Sequence, residues 1–468
     1  MRSSPTPSKG VITEMQKSLK DLISFSNGGL IVNDMAGLRS SMDSIIYDAV
    51  FSEDEPTKRA IQSLIIEAAK QFGAVPSPIK SLYEAIGEGR YSGFTVPAIN
   101  IRGLTYDVAR AIFRKAKEKS VGAFIFEIAR SEIGYTYQRP MEYSACVLAA
   151  AIKEDFKCPI FLQGDHFQVV RRQYMAEPEK EMEKLKGLIK EAIEAEFYNI
   201  DIDSSTLVSL EMPTIKEQQR PNFEMTAHLA GYIDSIRPEG VEISIGGEIG
   251  EIGGKNSTPD ELRAFLDGFR ETFKKQKALT KISIQTGTTH GGVVLPDGSI
   301  ARVNIDFDTI MTLSRIARQE YGLGGVVQHG ASTLPEEAFG KFPEVETIEI
   351  HLATGFQNII YDSKHLPQEF RQDVYDFIRR EFTKDRKEGQ SEEQFIYSTR
   401  KKGFGPLKKT WWDLPSDIKN AIAAEIEDKV GFLFEKLKVV DTKGIVEDAV
   451  RKEAVRKDIS ESLRRILA

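Results

Sequence analysis

Cysteine and tryptophan are nearly absent: the 468 residues hold two of each. Cys146 and Cys158 lack metal-ligand spacing, and one pair cannot build a disulfide framework. A reducing, cytoplasmic setting is therefore expected. No apolar run reaches the roughly 20 residues needed to cross a bilayer, so no membrane partner is expected. Met1 to Gly10 is polar and lacks the apolar core of a secretion signal. An excess of positive charge is also missing. Lys and Arg number 63 against 70 Asp and Glu, for a net charge of −7. That balance argues against a general nucleic-acid binder. What remains is an ordinary soluble composition, 41% hydrophobic and 28% charged.

Three textures follow one another along the chain. Residues 1–77 form an N-terminal extension that reads as mostly helical, with apolar residues at helical spacing over 11–25 and 57–72. From 78 to 364 short apolar runs alternate with amphipathic stretches, the rhythm of a parallel sheet. Strands are predicted at 95–99, 122–127, 159–163, 198–202, 241–246, 281–285, 325–328 and 347–352. Helices are predicted between them at 106–119, 141–154, 179–195 and 259–275. Eight strands in this alternation favour a closed (β/α)8 TIM barrel, whose chemistry sits where strands run out into loops. Residues 365–468 form a C-terminal helical extension, in which Trp411 and Trp412 are expected to anchor a turn by burying two large rings. Its basic cluster, Arg400, Lys401, Lys402, Lys408 and Lys409, reads either as a solvated face or as an arm meeting a phosphate across a subunit boundary.

Histidine is scarce as well, with six in all. Three of them end short apolar runs beside glycine or aspartate: His166 after Gly164-Asp165, His290 before Gly291-Gly292, and His329 before Gly330-Ala331. Neutral imidazole is the commonest protein ligand for zinc, and three from separate strand tips can converge on one divalent ion. Such an ion can polarise a carbonyl if a coordination position stays open. His228 and His365 lack this setting and are expected at the surface or in structural roles. Asp201 and Asp203 share strand parity, which fits a cation site or a hydrogen-bonded structural pair. Glu251 reads as a solvated loop residue.

Taken in order, the motifs resemble those of the class II (zinc-dependent) fructose-bisphosphate and ketose-bisphosphate aldolases, over roughly residues 78 to 360. Ser81-Leu82-Tyr83-Glu84-Ala85 and Val96-Pro97-Ala98-Ile99-Asn100 are similar to the family's first helix and strand. Gln163-Gly164-Asp165-His166 resembles H-x-D-H, and Asp201-Ile202-Asp203-Ser204-Ser205 a strand ending in D-G-S. Gly247-Glu248-Ile249-Gly250-Glu251-Ile252-Gly253-Gly254 resembles E-L-G-x-x-G-G. Gly287-Thr288-Thr289-His290-Gly291 and His329-Gly330-Ala331-Ser332-Thr333 resemble the two later histidine motifs. The chain would be a divergent, long member with helical extensions at both ends.

The resemblance implies one zinc per subunit, held by His166, His290 and His329, with Glu248 as an alternate or nearby ligand. It implies Asp165 as the group that handles the hydroxyl proton at the bond being broken. Gly291, Gly330, Ser332 and Thr354 would bind substrate phosphate. Asn100 and Asp203 would orient substrate or a second, monovalent cation. The implied partner is a small phosphorylated sugar, and the implied assembly a homodimer or homotetramer. Three departures stand out. Gln163 replaces the first histidine of H-x-D-H; Lys255 and Asn256 replace the acids of a proton-transfer loop; and His351 and Gly355 replace the asparagine and acid of the last-strand phosphate element. The expected function is a metal-dependent aldolase of carbohydrate metabolism, glycolytic in type, cleaving a fructose- or tagatose-bisphosphate-like ketose through a zinc-stabilised enediolate. A carbohydrate epimerase using a retro-aldol step, or a non-catalytic aldolase-like subunit, are the other readings.

Overall fold

The computed structural model of the chain describes residues 19, 21–26, 29–249, 255–274, 278–287, 295 and 305–451. Eleven strands are described: β1 (Ile23–Ser26), β2 (Gly29–Val32), β3 (Val75–Pro76), β4 (Val96–Asn100), β5 (Ile125–Ala129), β6 (Pro159–Gln168), β7 (Asn199–Asp203), β8 (Ser244–Glu248), β9 (Leu279–Ile284), β10 (Val326–Gln328) and β11 (Glu349–Leu352). Strands β4 to β11 pair in sequence order, all parallel, and β11 returns to β4 through Glu349↔Val96 to Leu352↔Ile99. This is a closed eight-stranded (β/α)8 barrel. Each of the eight predicted strand regions lies within or across one barrel strand. β3 pairs with the first residues of β6 (Val75↔Pro159) and so covers the end of the barrel where the strands begin.

Burial explains the strand texture. All five residues of β4, β5, β7 and β8 are buried, as parallel strands covered by helices on one side and a filled interior on the other must be. The amphipathic helix Thr105–Glu118 and the almost wholly buried helix Pro140–Lys153 supply part of the cover. Two glycines make room inside. A β-carbon at Gly246 would collide with Asp201 and Lys281, and one at Gly164 with the Phe167 ring.

The N-terminal segment departs from its helical reading. The helical spacing assigned to 11–25 gives way to a strand at Ile23–Ser26, paired antiparallel with Gly29–Val32. β-Branched Ile23, Ile31 and Val32 favour an extended backbone, and tertiary packing on the following helices settles it. Residues 11–18 lie outside the described residues. The helix predicted over 57–72 is present as Glu55–Phe72, capped by Asp54 and stopped by Gly73 at φ 100°.

Residues from both ends of the chain meet on the barrel wall. Trp412 packs edge-on against Phe51, with ring centroids 5.4 Å apart, and stacks near Tyr106 at 6.3 Å. Trp411 is 1% exposed and lies among Tyr361, Phe370 and Phe404. Helix Ser416–Lys436 lies along Thr105–Glu118, and the Thr442 hydroxyl accepts the amides of Gly122 and Ala123 at 3.2 and 3.1 Å. No helix among the described residues is long and apolar enough to cross a membrane.

Candidate active site at the strand ends

The carboxyl ends of the strands open into a cavity of about 530 Å³ lined by Asp165, His166, His329, Gly330, Ser332, His351 and Thr354, among others. β6 contributes both Asp165 and His166. Adjacent residues on a regular strand face opposite sides, so one of them should point away. The strand avoids this by an irregularity between Gly164 and Phe167, with His166 in the left-handed region at φ 41°. The bulge re-aims the second side chain into the site.

His166 and His329 stack with centroids 4.1 Å apart. Their Nε2 atoms lie 4.0 and 3.5 Å from Asp165 Oδ1. On the other edge of His166, Nδ1 lies 3.0 Å from Glu248 and 3.1 Å from Asp203. Asp165, His166 and His329 can each place one donor atom within 4.8 Å of the others, as can His166, Asp203 and Glu248. Asp165 therefore stands among the ligand-type donors, and Glu248 backs the opposite edge of the ring.

The remaining sequence candidates separate in space. Gly330, at φ 68°, Ser332 and Thr354 line the cavity. Asn100 is buried and donates its amide to Glu132. The oxygens of Asp203 are engaged by Ser205, Gln168 and His166, which suits holding the imidazole more than contacting substrate. His290 and Gly291 lie outside the described residues, as does Glu251.

Beneath the histidines is a polar floor. His351 Nδ1 faces Asp165 and Glu127, each at 3.1 Å, while Nε2 faces Glu349 at 2.6 Å. Only an imidazolium donates on both edges. Lys281, 1% exposed, reaches Gln163, Glu349 and Asp201 at 2.7, 2.6 and 3.0 Å. Gln163 completes the floor by donating to Glu127 and Glu349 at 3.1 and 2.8 Å. A neutral amide serves here as both donor and acceptor. The sequence carried a signal for these residues. Glu127, Lys281, Glu349 and His351 interrupt apolar strands that helices cover outside, so their charges must point into the barrel.

The charges perturb one another. Burial pushes Asp165 up, but the charges of His166 and His351 and the hydrogen bonds of His329 and His351 hold it well below the usual carboxylate range. Burial raises Glu127 well above that range, with Asp165 and Glu349 adding to it against His351. Against the effect of burial, Glu248 and Asp165 raise His166, and Glu127 and Asp165 raise His351. His329 goes the other way: burial, then the neighbouring His166 and His351, push it well below the ordinary value and leave it neutral.

These residues fit a divalent cation. Glu127, Asp165, Asp201, Asp203, Glu248 and Glu349 are all buried, and Lys281 pairs directly with two of them, Asp201 and Glu349. Buried anions on this scale require compensation. The neutral His329, His166 once it gives up its proton, and the carboxylate of Asp165 match zinc or a similar borderline ion.

A family model for the class-II fructose-bisphosphate aldolases matches residues 80–399. The chain belongs to this family. No curated protein sequence matches it. Among solved structures it is similar to the fructuronate-tagaturonate epimerase UxaE from Cohnella laeviribosi, at 10% identity over 89% of this chain and 93% of that one, with a TM-score of 0.59. It is also similar to a probable tagatose 6 phosphate kinase from Sinorhizobium meliloti, at 17% identity over 80% and 97%, with a TM-score of 0.51. The YdjI aldolase from Escherichia coli is 13% identical over 79% and 99%, with a TM-score of 0.47. At these identities the likeness is one of fold.

Proposed function

We propose that this class-II aldolase relative is a metal-dependent enzyme that breaks a carbon–carbon bond in an anionic ketose by a retro-aldol step. The observation that carries this is the meeting of His166, His329 and Asp165 in the lining of one cavity, with Glu248 behind the His166 ring. When bound there, a divalent ion supplies Lewis acidity toward a substrate carbonyl. His166 and His329 would hold it through Nε2, on the side of the rings that faces Asp165. Glu248 and Asp203 fix the His166 ring from its Nδ1 edge, as outer partners of ligating histidines do. Asp165, kept ionised by its imidazole neighbours, is the acceptor for the hydroxyl proton as the bond breaks and its electrons move toward the carbonyl.

Release of two fragments, as in an aldolase acting on a fructose- or tagatose-bisphosphate type of ketose, also requires a proton to be delivered to the carbanionic carbon. One set of residues favours a second reading. Lys255 and Asn256 stand where acids would serve that transfer, and the Asn256 amide is tied to Asp306 at 2.9 Å. An epimerase that rotates the aldehyde fragment and re-forms the bond needs no proton at that carbon. The similar UxaE is named a fructuronate-tagaturonate epimerase.

The test is turnover in D2O of metal-loaded protein with fructose 1,6-bisphosphate and with D-fructuronate, read by NMR. Triose products carrying solvent deuterium establish the aldolase. A stereoisomer without deuterium establishes the epimerase. Neither product, with one metal bound per chain, sinks the retro-aldol proposal. A homodimer or homotetramer belongs to the same proposal and is read by light scattering.

A further inference from the structure

The cavity has a second kind of wall, contributed from outside the strand-end motifs. Lys401, in the short 3-10 turn Arg400–Gly403 of the C-terminal extension, lines it together with Arg102 and Tyr135. The other members of the basic cluster are committed elsewhere. Arg400 pairs with Asp362, Lys402 with Asp385, Lys408 with Glu142 and Lys409 with Asp413. Among the described residues no carboxylate lies within ion-pair distance of Lys401. Its ammonium sits over the Tyr135 ring, 5.7 Å from the centroid.

Arg102 is held beside it. Its guanidinium donates to Glu132 at 2.8 and 2.7 Å, to Gln357 at 2.7 Å and to Thr354 at 3.4 Å. One carboxylate, Glu132, thus serves two cations. Burial first, then the charge of Arg102, pulls the Lys401 ammonium below the ordinary lysine range. The turn that carries Lys401 is locked in place within the same chain. Phe404 packs directly over Gly103, and a β-carbon at Gly405 would collide with the Tyr135 carbonyl. The position of the lysine is therefore part of the fold.

We propose that Lys401 and Arg102, with the Thr354 hydroxyl, form a subsite in cis for the anionic terminus of the substrate, a carboxylate or a phosphate. The proposal rests on the retro-aldol reading for the word substrate. The surplus positive charge in a concave, partly desolvated wall is the physical ground, since charge-assisted hydrogen bonds are strongest there. A lysine is a mobile point charge and tolerates either anion shape; the planar Arg102 sets the direction.

Calorimetry of the metal-loaded full chain tests it, with inorganic phosphate, fructose 1,6-bisphosphate and D-fructuronate as separate probes. The K401M variant is expected to bind the preferred probe about tenfold or more weakly, with metal content unchanged, and K401R to recover most of the loss. Preference for the uronate marks a carboxylate subsite, and preference for the phosphates a phosphate subsite. Equal binding by wild type and K401M overturns the proposal, as does a wild-type protein that binds none of the three. Lys401-dependent binding without turnover of either sugar leaves the subsite standing and removes the retro-aldol reading.

Discussion

The floor and the wall of the cavity are built in opposite ways. The floor crowds carboxylates and imidazoles on the ends of barrel strands, where His351 alone touches Asp165, Glu127 and Glu349. The wall places two cations, Arg102 and Lys401, against the single carboxylate of Glu132. One region is short of positive charge and the other of negative charge. The difference shows how a site can divide its work: the floor suits a cation and bond-breaking, the wall an anion and substrate placement. The floor sits inside a closed barrel, where His351, Lys281 and Gln163 link its carboxylates. The wall depends on a turn more than 45 residues beyond the last strand, held by ring packing.

Changes to the floor and to the histidines above it are expected to have the largest effects. Replacing His329 by Ala removes a neutral donor, and turnover is expected to fall by about 10⁴-fold or more with loss of bound metal, a scale set by losing metal electrostatics at the reacting centre. Metal analysis alongside a product assay checks this; full metal content in H329A would dissolve the distinction between floor and wall. Lys281→Met leaves Asp201 and Glu349 without their shared ammonium. Breaking one partner out of a buried ionic network costs about 4 kcal/mol, to be read from urea unfolding. A change below 1 kcal/mol would mean that those carboxylates are protonated.

A smaller and differently shaped effect is expected from the wall. Phe404→Ala opens a void over Gly103, costing about 3 kcal/mol of stability. It should raise KM about tenfold while leaving the metal in place, because the Lys401 turn loosens while the donor histidines stay on the barrel strands. An equal fall in kcat would join the wall to the chemistry and erase the comparison. The smallest effect concerns Asp203. Burial raises its carboxyl, but His166, Ser205 and Gln168 together lower it from 3.8 to about 2. A depressed folded-state value stabilises the protein above the unfolded pKa, and that stabilisation fades as pH falls through the folded one. About 2 kcal/mol should therefore disappear between roughly pH 4 and pH 2. The D203N variant should lack that portion of the acid slope in denaturant melts.

Most of the barrel was legible in the residues, since an eightfold alternation of apolar runs and amphipathic stretches admits few other folds. The Asp165-His166 tip was legible from its glycine and its position at a run's end. The β1–β2 hairpin was not, because Leu19, Leu22 and Ile23 keep helical spacing while Ile23 and Phe25 keep extended spacing, and the two patterns overlap. Glu127, Lys281 and Glu349 were passed over for a related reason. A charge inside an apolar run reads as a defect until the strand is known to border a closed interior. Lys401 was indistinguishable from its four basic neighbours, since the partners that neutralise the others lie between 4 and about 270 positions away.

The amino-acid sequence by itself determined the alternation that closes the barrel and the donor types that can hold a metal, because both are local properties of pattern and chemistry. Only the tertiary structure decided which charges face one another. A bulge turned His166 beside Asp165, barrel closure brought β11 to β4, and ring packing on Gly103 delivered Lys401 to the cavity. Electrostatic interaction depends on distance through space, and separation along the chain does not contain it.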